Sequence, residues 1–354
     1  MRTGIVYDDR YLAHHQLEGH PEVPERLSVT MEFLHKTGVI NQLEQLTPEP
    51  ATLEDLLRVH SIEHIEYIKC LSKSGGGRFA LIDGDTYVCP ATYDTAVLAA
   101  GGVITAAEAV MQRKLDNCYA LIRPPGHHAS KNQATGFCYF DNVAIMIKHV
   151  QEKYGLKRIF LFDWDAHAPN GTMGTFYSDN TVLKASIHQD PHNFYPGTGF
   201  IEQIGEGKGK GFTINVPVPP GTGDADYLYI LDTFIVPRIR KFKPELIVIS
   251  AGQDSHRDDL ISGLKVTEAG YSHMTKIFMD LAAEYCENKL VMELEGGYNL
   301  MALARSNNEI LQTLNGIQPH LKIEGEVRQS TLDILMSLEE VLKTTRIWPE
   351  SPDI

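Results

Sequence analysis

The segment RIFLFDWDAH at residues 158–167 joins a run of apolar residues to a group of acidic and imidazole side chains. The segment ELIVISAGQD at 245–254 has the same layout, a continuous apolar run followed by small and polar residues. Apolar runs without alternation are typical of strands buried on both faces, as in a parallel sheet covered by helices. The two segments therefore predict an α/β fold in which polar side chains follow the strands.

Strand-like runs and helix-like segments alternate along the rest of the chain, which indicates a parallel sheet. Further strands are predicted at the N-terminus and at 118–122, 182–187, 212–218 and 289–293, and helices near 91–111, 142–153, 225–241, 268–284 and 301–313. Pro237 should kink or end its helix. We expect a single domain over 1–354, with 74–77 as a flexible loop inside it and 316–354 as a C-terminal helix, near 331–343, and a flexible tail.

Composition and charge narrow the class of protein. Hydrophobic residues make up 43% of the 354 residues and charged residues 22%, which excludes a disordered chain or a coiled coil. The net charge of −14 disfavours nucleic acid as a ligand and suits a cationic partner. Five scattered cysteines without a C-x-x-C motif indicate a reducing compartment. No apolar run approaches the roughly 18–20 residues of a membrane span and no signal peptide is visible, so we expect a soluble cytoplasmic protein without a membrane partner.

The polar residues after the strands have the chemistry of a metal site. In extended backbone alternate side chains point the same way, so Asp165 and His167 can face one point, with Asp163 behind them. Carboxylate oxygen and imidazole nitrogen suit a divalent ion such as Zn²⁺, and Asp254 at another strand end is the natural third ligand. Taken alone, D-x-D-x-H can equally be a solvated turn.

Two further groups could handle protons. His127 and His128 follow Pro-Pro-Gly, and adjacent imidazoles can accept and donate protons near neutral pH. Tyr298 follows two glycines, and a phenol in that position could polarise a carbonyl. The alternatives are a histidine pair at the surface or in the core, and a structural tyrosine.

Seven motifs in order resemble the zinc-dependent histone deacetylase superfamily, which includes acetylpolyamine amidohydrolases and prokaryotic deacetylase-like proteins. They are RPPGHH at 123–128, GFCYFDN at 136–142, DWDAH at 163–167, NGT at 170–172, YPGTG at 195–199, AGQDSH at 251–256 and LEGGYN at 294–299. The resemblance covers about 4–315 and is greatest to the class II branch, through HPEVPERL at 20–27 and EGGYNL at 295–300.

The resemblance implies an arginase-like α/β fold with a central, mostly parallel sheet of about eight strands flanked by helices. It implies hydrolysis of the amide of an acylated amine by a metal-activated water, with Zn²⁺ held by Asp165, His167 and Asp254. The implied proton-handling residues are His128 as general base and acid, His127 as its electrostatic partner, Asp163 and Asn170 as the groups that orient these two histidines, and Tyr298 as donor to the substrate carbonyl.

A substrate tunnel and a second ion are implied in the same way. Phe137 and Tyr195 correspond to the aromatic walls, Gly136 to the backbone lining, Ile261 to the rim and Asp85, by a looser alignment, to a rim acid. Arg26 resembles the arginine near the acetate exit. A structural K⁺ is implied near Asp163, Asp165, His167, Ser186 and Ile187.

Two departures leave alternatives open. The family's second His and Gly after the metal histidine are Ala168 and Pro169 here. If that Gly has a positive φ, the loop must reroute and Asn170 misses His128. The protein would then be a catalytically weak acyl-amine-binding or scaffold relative. A two-metal, arginase-type ureohydrolase is a third hypothesis, although Pro169 stands where its second metal needs a ligand.

In the second departure, Gln253 replaces the usual Phe. The substrate, acetyl-lysine or an acetylpolyamine or another acyl amine, and a homo-oligomeric state stay open.

Overall fold

A computed structural model of the chain describes residues 1–74, 80–345 and 347–348. Residues 75–77 of the predicted flexible loop 74–77 lie outside the described residues. The last part of the expected tail lies outside them as well. The strands are β1 (Thr3–Val6), β2 (Glu44–Leu46), β3 (Ala80–Leu81), β4 (Tyr87–Val88), β5 (Asn117–Ala120), β6 (Ile159–Asp163), β7 (Val182–Gln189), β8 (Thr213–Val218), β9 (Leu246–Ala251) and β10 (Leu290–Leu294).

Eight of these strands form one sheet in the order β2-β1-β5-β10-β9-β6-β7-β8, and all its pairings are parallel. Every residue of β5, β6, β7, β9 and β10 is buried. The apolar runs of β6 and β9 predicted this burial. The short strands β3 and β4 form a separate antiparallel pair. The predicted α/β fold with about eight central strands is confirmed.

The helices pack against one another in groups that cover the sheet. Helix α1 contacts α10, α10 contacts α9, and α4 contacts α5, while α4 and α9 also touch the central strands. The helices are α1 (Glu25–Thr37), α2 (Leu53–Leu57), α3 (Ile62–Ser74), α4 (Thr92–Met111), α5 (Asn142–Tyr154), α6 (Asn170–Phe176), α7 (Asp224–Ile230), α8 (Val236–Phe242), α9 (Glu268–Tyr285), α10 (Leu300–Leu314) and α11 (Gln329–Lys343).

The helix predicted over 225–241 is divided where Pro237 required it. Helix α7 passes through a π-helical turn, Leu231–Ile235, before α8 begins with Pro237 in its first turn. Proline is tolerated there because the first N–H groups of a helix have no partner inside it.

Helix α4 corrects one statement made from the sequence. Its 20 residues are long and apolar enough to cross a membrane by length and composition, contrary to the expectation that no segment approaches that length. In the structure, however, 72% of its most apolar window is buried inside the protein, as in the core helix of a globular domain.

The C-terminal segment packs on the outer edge of the sheet. Helix α11 contacts β8, and the Trp348 ring lies 5.4 Å from that of Phe212 while its indole N–H donates to the Gly211 carbonyl at 2.5 Å. The described part of the expected flexible tail is therefore anchored, because the indole buries apolar surface and also finds an acceptor.

Candidate active site

The functional residues predicted from the sequence meet at the carboxyl edge of the sheet. The loops after β5, β6, β9 and β10, four neighbouring strands, carry the histidine pair, Asp165 with His167, Asp254 and Tyr298, respectively. Parallel strands end at the same edge, and therefore residues far apart in sequence converge there.

Asp165, His167 and Asp254 form a compact group of donor atoms. One donor atom from each lies within 4.8 Å of the other two. His167 Nδ1 is 2.8 Å from Asp254 Oδ2 and 3.1 Å from Asp165 Oδ1. Within the described residues this is the one group of three or more such side chains that converges in this way.

The surroundings of the two carboxylates fit a bound cation. Asp254 Oδ1 accepts from the Ala166 N–H at 2.7 Å and Asp165 Oδ2 from the Gly296 N–H at 2.9 Å, so both groups are held in place. Burial and the Asp165 carboxylate together raise the pKa of Asp254 to about 7. Two buried carboxylates this close repel each other, and a divalent ion bound by this oxygen and nitrogen donor set would compensate their charge.

Glycines leave the space in which these carboxylates sit. A Cβ atom on Gly296 would lie 2.6 Å from Asp165 Oδ2 and 2.7 Å from Asp254 Oδ2, and one on Gly252 would overlap the Asp165 side chain. Any side chain at either glycine would displace the donor atoms.

The two histidines are held by different partners. Their rings lie 4.1 Å apart. His127 Nδ1 is 3.0 Å from Asp163 Oδ2, and His128 Nδ1 is 2.6 Å from Asn170 Oδ1. Because an amide oxygen only accepts, His128 carries its proton on Nδ1 and leaves the lone pair of Nε2 available to the cavity.

The surroundings of the two imidazoles shift their pKa values in opposite directions. Burial lowers the pKa of His127, but Asp165 and Asp163 outweigh it and raise that pKa to about 9. Burial and the neighbouring His127 and His167 lower the pKa of His128 well below its usual value. Because these shifts run in opposite directions, His128 is the neutral acceptor of the pair.

Tyr298 is fixed through its backbone. Its N–H donates to Asp259 Oδ2 at 2.7 Å, and the Arg26 guanidinium lies 4.9 Å from the centre of its ring. Burial raises the pKa of Tyr298 well above the usual phenol value, so the hydroxyl keeps its proton and can donate it in a hydrogen bond.

A cavity of about 320 Å³ opens above these groups, and all five substrate-binding residues predicted from the sequence line it. Phe137 and Tyr195 provide aromatic walls, and the Tyr195 ring lies 4.9 Å from that of His128. A Cβ on Gly136 would lie 2.6 Å from His128 Cδ2, so a larger residue at this point of the wall would clash with the His128 ring. The lining residues are His20, Pro21, Asp85, Pro125, His127, His128, Gly136, Phe137, His167, Tyr195, Ile261 and Tyr298.

The departure at Ala168 and Pro169 leaves this arrangement intact. Pro169 has φ −77° and ψ 73° and directly precedes α6, which begins with Asn170. The expectation that a rerouted loop would take Asn170 away from His128 is wrong, because the 2.6 Å contact is present. Proline suits a position just before a helix, where its missing N–H costs nothing.

Comparison with known proteins identifies the family. The family model described as the histone deacetylase domain matches residues 20–314. The chain belongs to the histone deacetylase family. It is 45% identical over 319 residues to a probable deacetylase of Archaeoglobus fulgidus, covering 89% of this chain and 87% of that protein. The family was correctly recognised from the sequence motifs.

Two further comparisons agree on fold and enzyme class. A histone deacetylase-like amidohydrolase of Pseudomonas aeruginosa is 36% identical over 300 residues, 85% of this chain and 78% of that one. The crystal structure of the HDA15 HD domain has 32% identity and a TM-score of 0.90, covering 98% of this chain and 95% of that one. The chain spans about half the length of several fungal and plant histone deacetylases that it matches. The prediction of a deacetylase enzyme is confirmed. Membership of this metal-dependent family disfavours the ureohydrolase hypothesis.

The serine of the donor set predicted for potassium is already engaged by a lysine. Asp163 and Ser186 are paired in neighbouring strands, as that prediction requires. Ser186 Oγ, however, lies 3.1 Å from the Nζ of Lys184 and accepts a hydrogen bond from it. The residues present do not fit a potassium ion beside this ammonium.

Sequence reasoning missed several residues of this deacetylase site. The Phe194 ring stacks on His167 at 4.5 Å, and the His20 ring lies 4.6 Å from Phe137. The acidic residue Glu22 is fully buried between Arg26 and Arg123, at 3.1 and 2.6 Å. Of these, only the position of His20 and Glu22 inside the HPEVPERL motif offered a signal.

Proposed function

We propose that the protein is a zinc-dependent hydrolase that removes an acetyl group from an amine on a flexible alkyl stem, such as acetyl-lysine or an acetylpolyamine. The observation that carries the proposal is the convergence of Asp165 and Asp254 on His167, which lines the cavity together with His128. The tautomer of His128, set by Asn170 at 2.6 Å, supports a base that faces the same space.

The residues divide the chemistry among them. When bound by the three donors, a zinc ion lowers the pKa of a water molecule and polarises the amide carbonyl. His128 Nε2 accepts a proton from the attacking water and returns it to the departing amine. The Tyr298 hydroxyl donates to the oxygen that becomes negative, and His127 acts as the electrostatic partner of His128. Asp163 and Asn170 keep the two rings in orientation.

The cavity suggests the shape of the substrate. Phe137 and Tyr195 form apolar walls around a linear chain, while Asp85 at the exposed rim supplies a negative charge. Burial and neighbouring Asp83 raise the pKa of the Asp85 carboxyl. The apolar Ile261 also lies at the rim, so the mouth pairs an acid with an aliphatic side chain.

The test is hydrolysis by the zinc-loaded protein of acetyl-lysine peptides, acetylpolyamines and longer acyl amines, with chelator and zinc-readdition controls. We expect acetate release that the chelator abolishes and that His128→Ala lowers at least ~100-fold. Zinc-loaded protein that hydrolyses no member of the panel would refute the proposal, and binding of the same amines without turnover would favour the catalytically weak relative.

We also propose a reducing, cytoplasmic location. All five cysteines are free, and four of them are buried. Cell fractionation of a tagged chain tests this, since recovery from an oxidising compartment would contradict it.

A further inference from the structure

Lys184 is a buried cation in the middle of β7. Only 1% of the residue is exposed to solvent, which is unusual for a lysine. Among the described residues no carboxylate oxygen lies within 4.0 Å of its Nζ, although the more distant Asp163 carboxylate favours its charged form. The Nζ instead donates to two neutral oxygens, Ser186 Oγ and Asn215 Oδ1, each at 3.1 Å.

The other hydrogen bonds of Asn215 and Ser186 show that the oxygen of each side chain faces the ammonium. Asn215 Nδ2 donates to the carbonyls of Gln203 at 2.9 Å and Phe200 at 3.3 Å, so its Oδ1 must be the atom that faces Lys184. These two acceptors leave the amide no freedom to flip.

Ser186 is oriented by a second chain of contacts. His188 Nε2 lies 2.9 Å from the Gly199 carbonyl, an acceptor, so the ring proton is on Nε2 and Nδ1 carries a lone pair. Ser186 Oγ lies 3.0 Å from that Nδ1 and donates to it. The lone pairs of Ser186 are therefore left for a cation, and the ammonium donates to one of them.

We propose that the Lys184 ammonium is a built-in substitute for a monovalent cation under the active site, so that the protein needs no potassium there. Ser186 is paired with Asp163 in the neighbouring strand, and Asp163 holds His127, so the charge lies under the residues that position the histidine pair. A potassium ion bound to Ser186 Oγ would share its ligand with the ammonium, and like charges repel strongly in buried surroundings. The proposal goes beyond catalysis, because it concerns cation binding and stability.

The test compares the zinc-loaded wild-type protein with Lys184→Met and with the control Lys157→Met, which removes an exposed lysine. Rubidium retained after desalting is counted by mass spectrometry, and the midpoint of thermal unfolding is measured in potassium and tetramethylammonium chloride at equal ionic strength. We expect wild type and Lys157→Met to retain no rubidium and to unfold at the same temperature in both salts. Lys184→Met should unfold earlier in tetramethylammonium, recover with potassium, and retain one rubidium per chain.

Two results overturn the proposal. Stoichiometric rubidium in the wild-type protein shows that the ammonium does not replace the ion, and this measurement needs no variant to fold. Folded Lys184→Met that gains neither rubidium nor potassium-dependent stability shows that the pocket accepts only the lysine. If Lys184→Met does not fold, Lys184→Gln, which keeps a donor to Ser186 without the charge, replaces it in the same measurements.

Discussion

Replacing Gly252 by alanine should disable the metal centre from within the protein. Gly252 lies between the end of β9 and Asp254. A Cβ atom at this position would lie 2.6 Å from Asp165 Cβ and 2.5 Å from Asp165 Cγ, below the 3.0 Å that real Cβ contacts essentially always exceed. Since the Cβ of Asp165 is fixed by its own backbone, no change of side-chain rotamer relieves the overlap.

The size of the effect follows from these distances. Asp165 Cβ must retreat by about 0.4 Å, the difference between 2.6 Å and the 3.0 Å limit, and the carboxylate moves with it. Metal–ligand distances tolerate only about ±0.2 Å. Disturbances of a ligand's support cost roughly 10–100-fold in metal affinity or activity. We therefore expect both zinc affinity and kcat/KM to fall by roughly 10–100-fold.

The assay measures zinc affinity by competition with a chromophoric chelator, and turnover of an acetyl-lysine peptide at saturating zinc. Gly174→Ala is the matched control, because a Cβ on Gly174 in the nearby helix α6 meets no atom within 4 Å. The control should keep its zinc affinity and gain up to about 1 kcal/mol of stability from helix propensity. Unchanged zinc affinity in folded Gly252→Ala would refute the reasoning.

Three other perturbations test separate parts of the structure. Tyr298→Phe removes the proposed donor to the substrate oxygen and should lower kcat by at least ~100-fold in steady-state assays, with near-native turnover as the contrary result. Arg123→Met leaves the buried Glu22 without its closest cation and should lower the free energy of unfolding in urea by about 3–5 kcal/mol. Adding Glu22→Gln should recover part of it, and a loss below about 1 kcal/mol counts against the buried pair. Burial lowers the pKa of His14 and of His60 to about 3. These folded-state pKa values lie below the roughly 6.5 of a histidine in the unfolded chain. The stability that each neutral imidazole contributes is therefore fully present above about pH 6.5. It is lost toward pH 3 at up to ~1.4 kcal/mol per pH unit for each histidine, and urea midpoints that stay constant from pH 7 to 4 would contradict this.

The parts of the site that follow from local rules could be predicted from the sequence. Asp165 and His167 are two residues apart directly after β6, and parallel strands bring the loops that follow them to one edge, so predicting the metal group needs no knowledge of side-chain packing. The tunnel residues came from the family resemblance, and the structure places them around the cavity.

The remaining features depend on contacts between distant parts of the chain. Glu22 and Arg123 are 101 residues apart, and no local pattern pairs them. Lys184 stands in a strand whose polar residues alternate with apolar ones, VLKASIHQ, a pattern typical of one solvated face, yet the whole strand is buried. The effect of Pro169 could not be decided without knowing the backbone angles of the loop it enters.

The position of β10 bears on how the chain is made. It is the last strand in sequence but lies between β5 and β9 in the sheet. Until the ribosome has released residue 294, the nascent protein consists of two partial sheets, β2-β1-β5 and β9-β6-β7-β8, each with an open edge that invites pairing with other chains. The histidine pair belongs to the first part, and Asp165 and Asp254 belong to the second. Premature termination before β10 should therefore yield aggregating fragments, in which the metal-binding half and the proton-transfer half never meet.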